Sequence, residues 1–196
     1  MFLRKPNSVL RATSGSNGGR ARMRAVAVAA SLVLVGCASP QGEASPEPFT
    51  LSIPEADADG RLPEWAMATV SGQCSGENRS PKLEWSGIPE GTVSLAVTMV
   101  NPEQLTYPHW VVTDIEPSVT SLESVAQGRV TEGVLGATFF GPGTYVGPCW
   151  EDATYTYTVY ALDILIEGEA RTQYAEFLEE AEGHILAESS VDTLAP

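Results

Sequence analysis

The sequence predicts a mainly β protein, a two-sheet β-sandwich with one peripheral helix near the C-terminus. Three observations carry that expectation. Short segments rich in β-branched and aromatic residues recur from Phe49 onward, and turns containing Gly and Pro separate them. A single helical period then appears late in the chain. No internal repeat is present, so residues 49–196 read as one domain with one core.

The elements follow in order. Phe49 to Ile53 alternates apolar and hydroxyl side chains at the period of a half-buried strand, and the run from Asp57 to Gly60 is a turn. Trp65 to Val70 is expected as a second, weakly patterned strand, and Ser80 to Trp85 as a short extended piece. Ser94–Val100 and His109–Ile115 are strong apolar strands, joined through a polar turn that begins at Asn101. Thr154–Ile164 is the longest strand. Tyr155, Tyr157, Val159 and Ala161 share one of its faces, and Thr154, Thr156, Thr158 and Tyr160 share the other. Within Thr172–Glu182, the residues Tyr174, Phe177, Leu178 and Ala181 fall at i, i+3, i+4 and i+7, which makes one apolar stripe. Thr172 is expected to cap this helix and Gly183 to end it.

The first 36 residues have a different character. They hold Arg4, Lys5, Arg11, Arg20, Arg22 and Arg24 and no acidic residue, and an apolar run from Ala25 to Val35 leads to Gly36-Cys37. A basic segment, a short apolar segment and a small-residue cleavage site form the pattern of a secretory signal, too short to span a bilayer as a helix. The segment Leu34-Val35-Gly36-Cys37 resembles the lipobox of bacterial lipoproteins, in which the Cys carries lipid and becomes the new N-terminus. The expected organisation is a signal at residues 1–36, a lipidated Cys37 with a Pro-, Ser- and Glu-rich tether to residue 48, and a domain at residues 49–196. Met23 offers an alternative start to Met1. The location expected from this pattern is extracytoplasmic, on the cell membrane through the lipid anchor.

Without residues 1–36 the chain keeps five basic and twenty-five acidic residues, a net charge near −20. Such a surface repels phosphate backbones, which argues against nucleic-acid binding, and membrane attachment would have to come from the anchor. With Cys37 assigned to lipid, Cys74 and Cys149 remain. An even pair in an oxidising compartment favours a disulfide, and two buried thiols are the alternative. The sequence has two histidines. His109 opens a β-run after a Pro-containing turn and is the first candidate for chemistry. His184 follows the helix-ending Gly183 and reads as a structural group. One available His is too few for zinc, no P-loop is present, and no nucleophile elbow places a Ser. No cofactor or metal is expected, and an enzyme is not.

Several separated segments resemble one family. Cys74 to Thr92 (CSGENRSPKLEWSGIPEGT), Ser94 to Val97 (SLAV), His109 to Val112 (HWVV) and Val119 to Leu122 (VTSL) match in order. They are followed by Tyr145 to Cys149 (YVGPC), Tyr160 to Asp163 (YALD) and Glu182 to Ala187 (EGHILA). Together they are similar to bacterial phosphatidylethanolamine-binding-like proteins, in the YbhB/YbcL or Raf-kinase-inhibitor-like branch. The resemblance covers residues 49–196 and implies the two-sheet sandwich reached above from patterning. It also implies a pocket for a small anion, such as phosphate, acetate or a phospholipid headgroup. Carried onto this chain, the ligand-binding positions are His109, Asn101, Tyr145, Gly147, Pro148 and Tyr155.

The chain also departs from the pattern. The family's acidic DPDAP turn is replaced by Asn101-Pro102-Glu103-Gln104-Leu105 on a shorter path to His109, and Ala153 stands where a second His is usual. Trp150, Glu151 and Asp152 are expected near the mouth. An amide cannot stabilise an imidazolium as a carboxylate does, so the pocket is expected to be partly degenerate and weak for anions. The alternative implied by the family is a protein-interaction module with a partner such as a protease. A weak hydrolase is the third possibility.

Overall fold

Ten strands and one α-helix occupy residues 47–196, the part of the chain described by the computed structural model. The expected signal, Cys37 and most of the tether lie outside the described residues. In chain order the strands are β1 (Thr50–Ser52), β2 (Thr69–Val70), β3 (Cys74–Ser75), β4 (Leu83–Ser86) and β5 (Ser94–Val100). They continue with β6 (Pro108–Ile115), β7 (Ser121–Leu122), β8 (Val134–Leu135) and β9 (Thr154–Leu162). Helix α1 (Tyr174–Ala181) then precedes β10 (Ile185–Leu194).

A five-stranded sheet in the order β10-β9-β5-β6-β8 faces a three-stranded sheet in the order β1-β4-β7, and β2 and β3 form a separate pair. All named strand pairs are antiparallel. The architecture is the mainly β sandwich that patterning predicts.

Strand β5 lies at the centre of the large sheet, and all seven of its residues are buried. It pairs with β9 from Ser94↔Leu162 to Val100↔Thr156, and with β6 along its other edge. Both faces of this sheet are covered. Leu95, Val97, Met99, Trp110, Val112, Tyr155, Tyr157, Val159 and Ala161 pack into the core between the sheets. Ala96, Val111, Tyr160 and Leu162 pack on the other face against Phe177 and Ala181 of α1. Two-sided burial is the physical reason that β5 and β6 read as nearly continuous apolar runs.

The stripe on α1 behaves as its period predicts, with Tyr174 and Leu178 flanking the buried Phe177 and Ala181. Its first turn differs from expectation. The N-cap is Gln173, whose backbone N–H donates to the Glu176 carboxylate at 3.0 Å. Thr172 instead accepts from the Glu169 N–H at 2.8 Å, which holds the preceding turn. Gly183 takes a left-handed φ of +81° just beyond the helix.

Trp65 to Val70 is not one strand. Glu64–Ala66 forms a single 3-10 turn and only Thr69–Val70 is extended. Ala66 and Ala68 are buried, and the carbonyls of Trp65, Met67 and Ala68 accept from the N–H groups of Glu77, Asn78 and Gly76, so a turn rather than a regular strand partners this stretch. Cys74 and Cys149 form a disulfide with Cα atoms 5.4 Å apart, bridging 75 positions of sequence. It sits in a small cluster with Ala68 and Val146. The bridge ties the β2–β3 pair to the loop that carries the candidate site.

Candidate functional site

The start of β6 and the loop 144–150 come together at His109. Strand β6 delivers the imidazole into the interior, where the residue is 4% exposed. His109 and Val146 then exchange two bonds. The Val146 N–H donates to the His109 carbonyl at 2.9 Å, and His109 Nδ1 lies 2.9 Å from the Val146 carbonyl. A carbonyl only accepts, so Nδ1 carries the proton and Nε2 of the neutral ring holds a lone pair. Desolvation by burial lowers the pKa of His109 below its ordinary 6.5, against the opposing effect of backbone contacts to Val146 and Gly147. At neutral pH this side chain is an uncharged hydrogen-bond acceptor.

The loop that fixes the ring is itself held from three sides. Asn78, in a left-handed conformation with φ +49°, donates from Nδ2 to the Tyr145 carbonyl at 3.2 Å. Its Oδ1 accepts from the Gly147 N–H at 2.8 Å. The Ala68 N–H donates to the Pro148 carbonyl at 2.8 Å, and the disulfide holds Cys149. Gly147 is required here by space: a Cβ would lie 2.1 Å from the Ala66 carbonyl oxygen. Asn78 reads from sequence as a turn-former, and that turn is what clamps the loop.

A cavity of about 280 Å³ opens beside the imidazole. Its walls are dominated by Tyr107, Phe139, Phe140, Trp150 and Tyr155, with His109 among them. The rings of Phe139 and Tyr155 meet the His109 ring edge-on, at centroid distances of 5.3 and 4.9 Å. Gln73 and Gln104 add neutral amides, and among the described residues no Lys, Arg, Asp or Glu belongs to the lining. His109 Nδ1 is committed to Val146, and among the described residues no hydrogen bond occupies Nε2, which leaves that nitrogen as the polar atom the ring can offer to the cavity. A larger and more open depression of about 340 Å³ crosses β1 and β4. Its lining is mostly Ser and Thr hydroxyls on the outside of the small sheet.

Of the six positions expected to bind ligand, the structure brings His109 and Tyr155 to the cavity. The other four are engaged elsewhere. Asn101 is buried and its Oδ1 accepts from the Glu103 N–H at 2.9 Å, which closes the turn and contributes nothing to the imidazole. Tyr145 packs in the core against Trp110, with ring centroids 5.3 Å apart. The Gly147 N–H is taken by Asn78, and Pro148 bonds Ala68 through its carbonyl. Tyr155 is a wall whose hydroxyl accepts from the Cys149 N–H at 3.2 Å.

The acidic mouth expected from Glu151 and Asp152 does not reach the lining. Asp152 turns to Arg61 at 2.8 Å. Trp150 does line the cavity, and Ala153 packs against the core. His184, expected to cap the helix end, has its Nδ1 2.8 Å from the Asp163 carboxylate, just before β10. Sequence reasoning missed Phe139, Phe140 and Tyr107. Their only signal is that bulky aromatics stand exposed in loops, at 43%, 60% and 49%.

Comparison with known proteins follows the same outline. Residues 52–194 match the family described as Phosphatidylethanolamine-binding protein. A UPF0098 protein of Methanothermobacter thermautotrophicus is 36% identical over 125 residues, 60% of this chain and 83% of that protein. The UPF0098 protein YbcL of Escherichia coli is 42% identical over 84 residues, 39% of this chain and 46% of its own. The crystal structure of E. coli YbcL, described as a new member of the mammalian PEBP family, superposes with a TM-score of 0.68 at 29% identity. That superposition covers 75% of this chain and 97% of YbcL. A phosphatidylethanolamine-binding protein homologue from Chlamydia trachomatis superposes at 0.60 with 28% identity, over 74% of this chain and 95% of its own.

Proposed function

The chain belongs to the phosphatidylethanolamine-binding protein family, and on that premise we propose that it is an extracytoplasmic, lipid-anchored binding protein whose ligand site is the cavity at His109. The basic-apolar-Cys37 pattern supports the location, and the family's description supports binding as the activity. The observation that carries the site is the buried His109, which lines a preformed cavity and whose Nδ1 is committed to Val146. A site of this kind holds phosphate or a phospholipid headgroup weakly. Its only ring N–H is already used, and among the described residues no cationic side chain lines it.

Calorimetry of the mature domain with inorganic phosphate at pH 7.5 tests this. The dissociation constant is expected to be weaker than about 1 mM, less than about 4 kcal/mol of binding. A submillimolar constant that is lost in His109→Ala would contradict weak anion binding.

A second reading has its own support. Phe140 and Trp150 are 60% and 48% exposed at the rim, which suits contact with a protein partner such as a protease. If replacing these two residues abolishes the cellular function while His109→Gln preserves it, the partner reading takes the place of the pocket.

A further inference from the structure

We infer that the cavity at His109 takes an uncharged ligand with an aromatic or aliphatic body and a single hydrogen-bond donor, such as a phenol or an alcohol, which donates to Nε2. The inference rests on the reading of this cavity as the ligand site and names what that site selects.

Four observations lead to it. The Val146 carbonyl fixes the proton on Nδ1, so the group that His109 presents to the cavity is an acceptor. The residue is 96% enclosed, at 4% exposure, so a ligand seated there removes the last water from Nε2 and must replace its hydrogen bond. Five aromatic side chains and Val146 make up most of the remaining wall, which favours an apolar body. Among the described residues no charged side chain lines the cavity, so neither an anion nor a cation entering it meets a counter-charge there.

Size agrees. The cavity of about 280 Å³ exceeds the ~150 Å³ apolar cavity that is known to hold benzene. The nearest acidic groups by sequence, Glu103, Glu151 and Asp152, lie outside the lining, and the nearby Arg61 is occupied by Asp152. The other polar side-chain groups of the lining are the amides of Gln73 and Gln104, the indole N–H of Trp150 and the hydroxyls of Tyr107 and Tyr155, all neutral, and the Tyr155 hydroxyl already accepts from Cys149.

The test uses the mature domain and four probes: 4-methylphenol, 4-methylanisole, toluene and inorganic phosphate. Binding is followed by calorimetry, and the imidazole by 15N-resolved NMR at pH 7.5. The phenol is expected to bind about fivefold tighter than the anisole or toluene, since each lacks the donor. It is also expected to shift the Nε2 resonance without protonating the ring. Equal affinity for the phenol and the anisole would overturn the acceptor role of Nε2. Phosphate binding tighter than the phenol, with His109 perturbed, would overturn the ligand class while leaving the cavity as the site. Absence of binding by all four probes would remove the cavity as a ligand site and this inference with it. All readouts come from the native sequence, so none depends on a variant that folds.

Discussion

Replacing both Cys74 and Cys149 by Ser is expected to lower the stability of the domain by about 4 kcal/mol and its thermal midpoint by about 10 °C. The magnitude follows from the 75-position separation the bridge closes, since a loop of that length restricts the unfolded chain strongly. Domains of this size hold about 5–15 kcal/mol in all, so the bridge is a large share of the total. The expected loss also has a place. Cys74 belongs to the short β2–β3 pair, which the sheets of the sandwich do not otherwise include. Cys149 follows Pro148 in the loop that fixes His109, and it lines the cavity itself. The unbridged protein should therefore loosen at the site before it loosens at β5. Thermal unfolding with and without reductant, followed by hydrogen exchange at Val146 and at Val97, checks both parts.

Gly147→Ala is expected to cost about 3 kcal/mol and to release His109 from its tautomer. A Cβ at this position would lie 2.1 Å from the Ala66 carbonyl and 2.9 Å from the Ala68 nitrogen, both backbone atoms that cannot swing aside. The loop must move outward. That movement weakens the Gly147 N–H bond to Asn78, at 2.8 Å, and the Ala68 N–H bond to Pro148, also at 2.8 Å. Overpacking alone costs about 1–3 kcal/mol, and each displaced bond adds about 1 kcal/mol. Once Val146 shifts with its neighbour, Nδ1 loses its acceptor and the two neutral tautomers come closer in energy. Denaturant unfolding gives the first number, and the imidazole 15N shifts report the second. A variant as stable as the parent, with His109 unchanged, would mean that the loop accommodates a methyl group and is not rigid.

The parts of the fold legible in the sequence are those whose burial imposes a period. Strands β5, β6 and β9 are covered on both faces, so nearly every position is apolar or aromatic and the run stands out. Phe177 and Ala181 mark α1 because one stripe alone is buried. Strand β10 was not legible, although it is the longest. It pairs with β9 along one edge, with a single bridge from Leu194 to Arg61 on the other, and most of its residues are exposed or half-buried, so ILAESSVDTL carries no apolar face to notice. The family resemblance supplied the segment at Glu182–Ala187 without its strand.

The site divides in the same way. His109 was legible because a polar ring opens an apolar strand. The aromatic wall was not, because Tyr107, Phe139 and Trp150 come from three separate loops and converge only in three dimensions. The carried-over positions Asn101, Tyr145, Gly147 and Pro148 proved informative in another sense. Their polar groups or rings are committed to the turn, the core and the loop clamp, so none of the four offers a donor to the cavity.

The central claim is that His109 faces the cavity as a neutral acceptor. Its depressed pKa fixes a direction for stability as well. Below the ordinary value of 6.5 the unfolded chain binds a proton that the folded chain refuses, so this residue's contribution to stability falls as pH drops through 6.5. The fall levels off below the folded pKa, where both states are protonated. The most direct test is a 15N-resolved NMR titration of the two imidazole nitrogens of His109 in the folded domain, from pH 8 downward. The account predicts a protonated Nδ1 and a bare Nε2 at pH 7.5, with the ring gaining its second proton only below pH 6.5. A proton on Nε2 at pH 7.5, or a midpoint above 6.5, would contradict it.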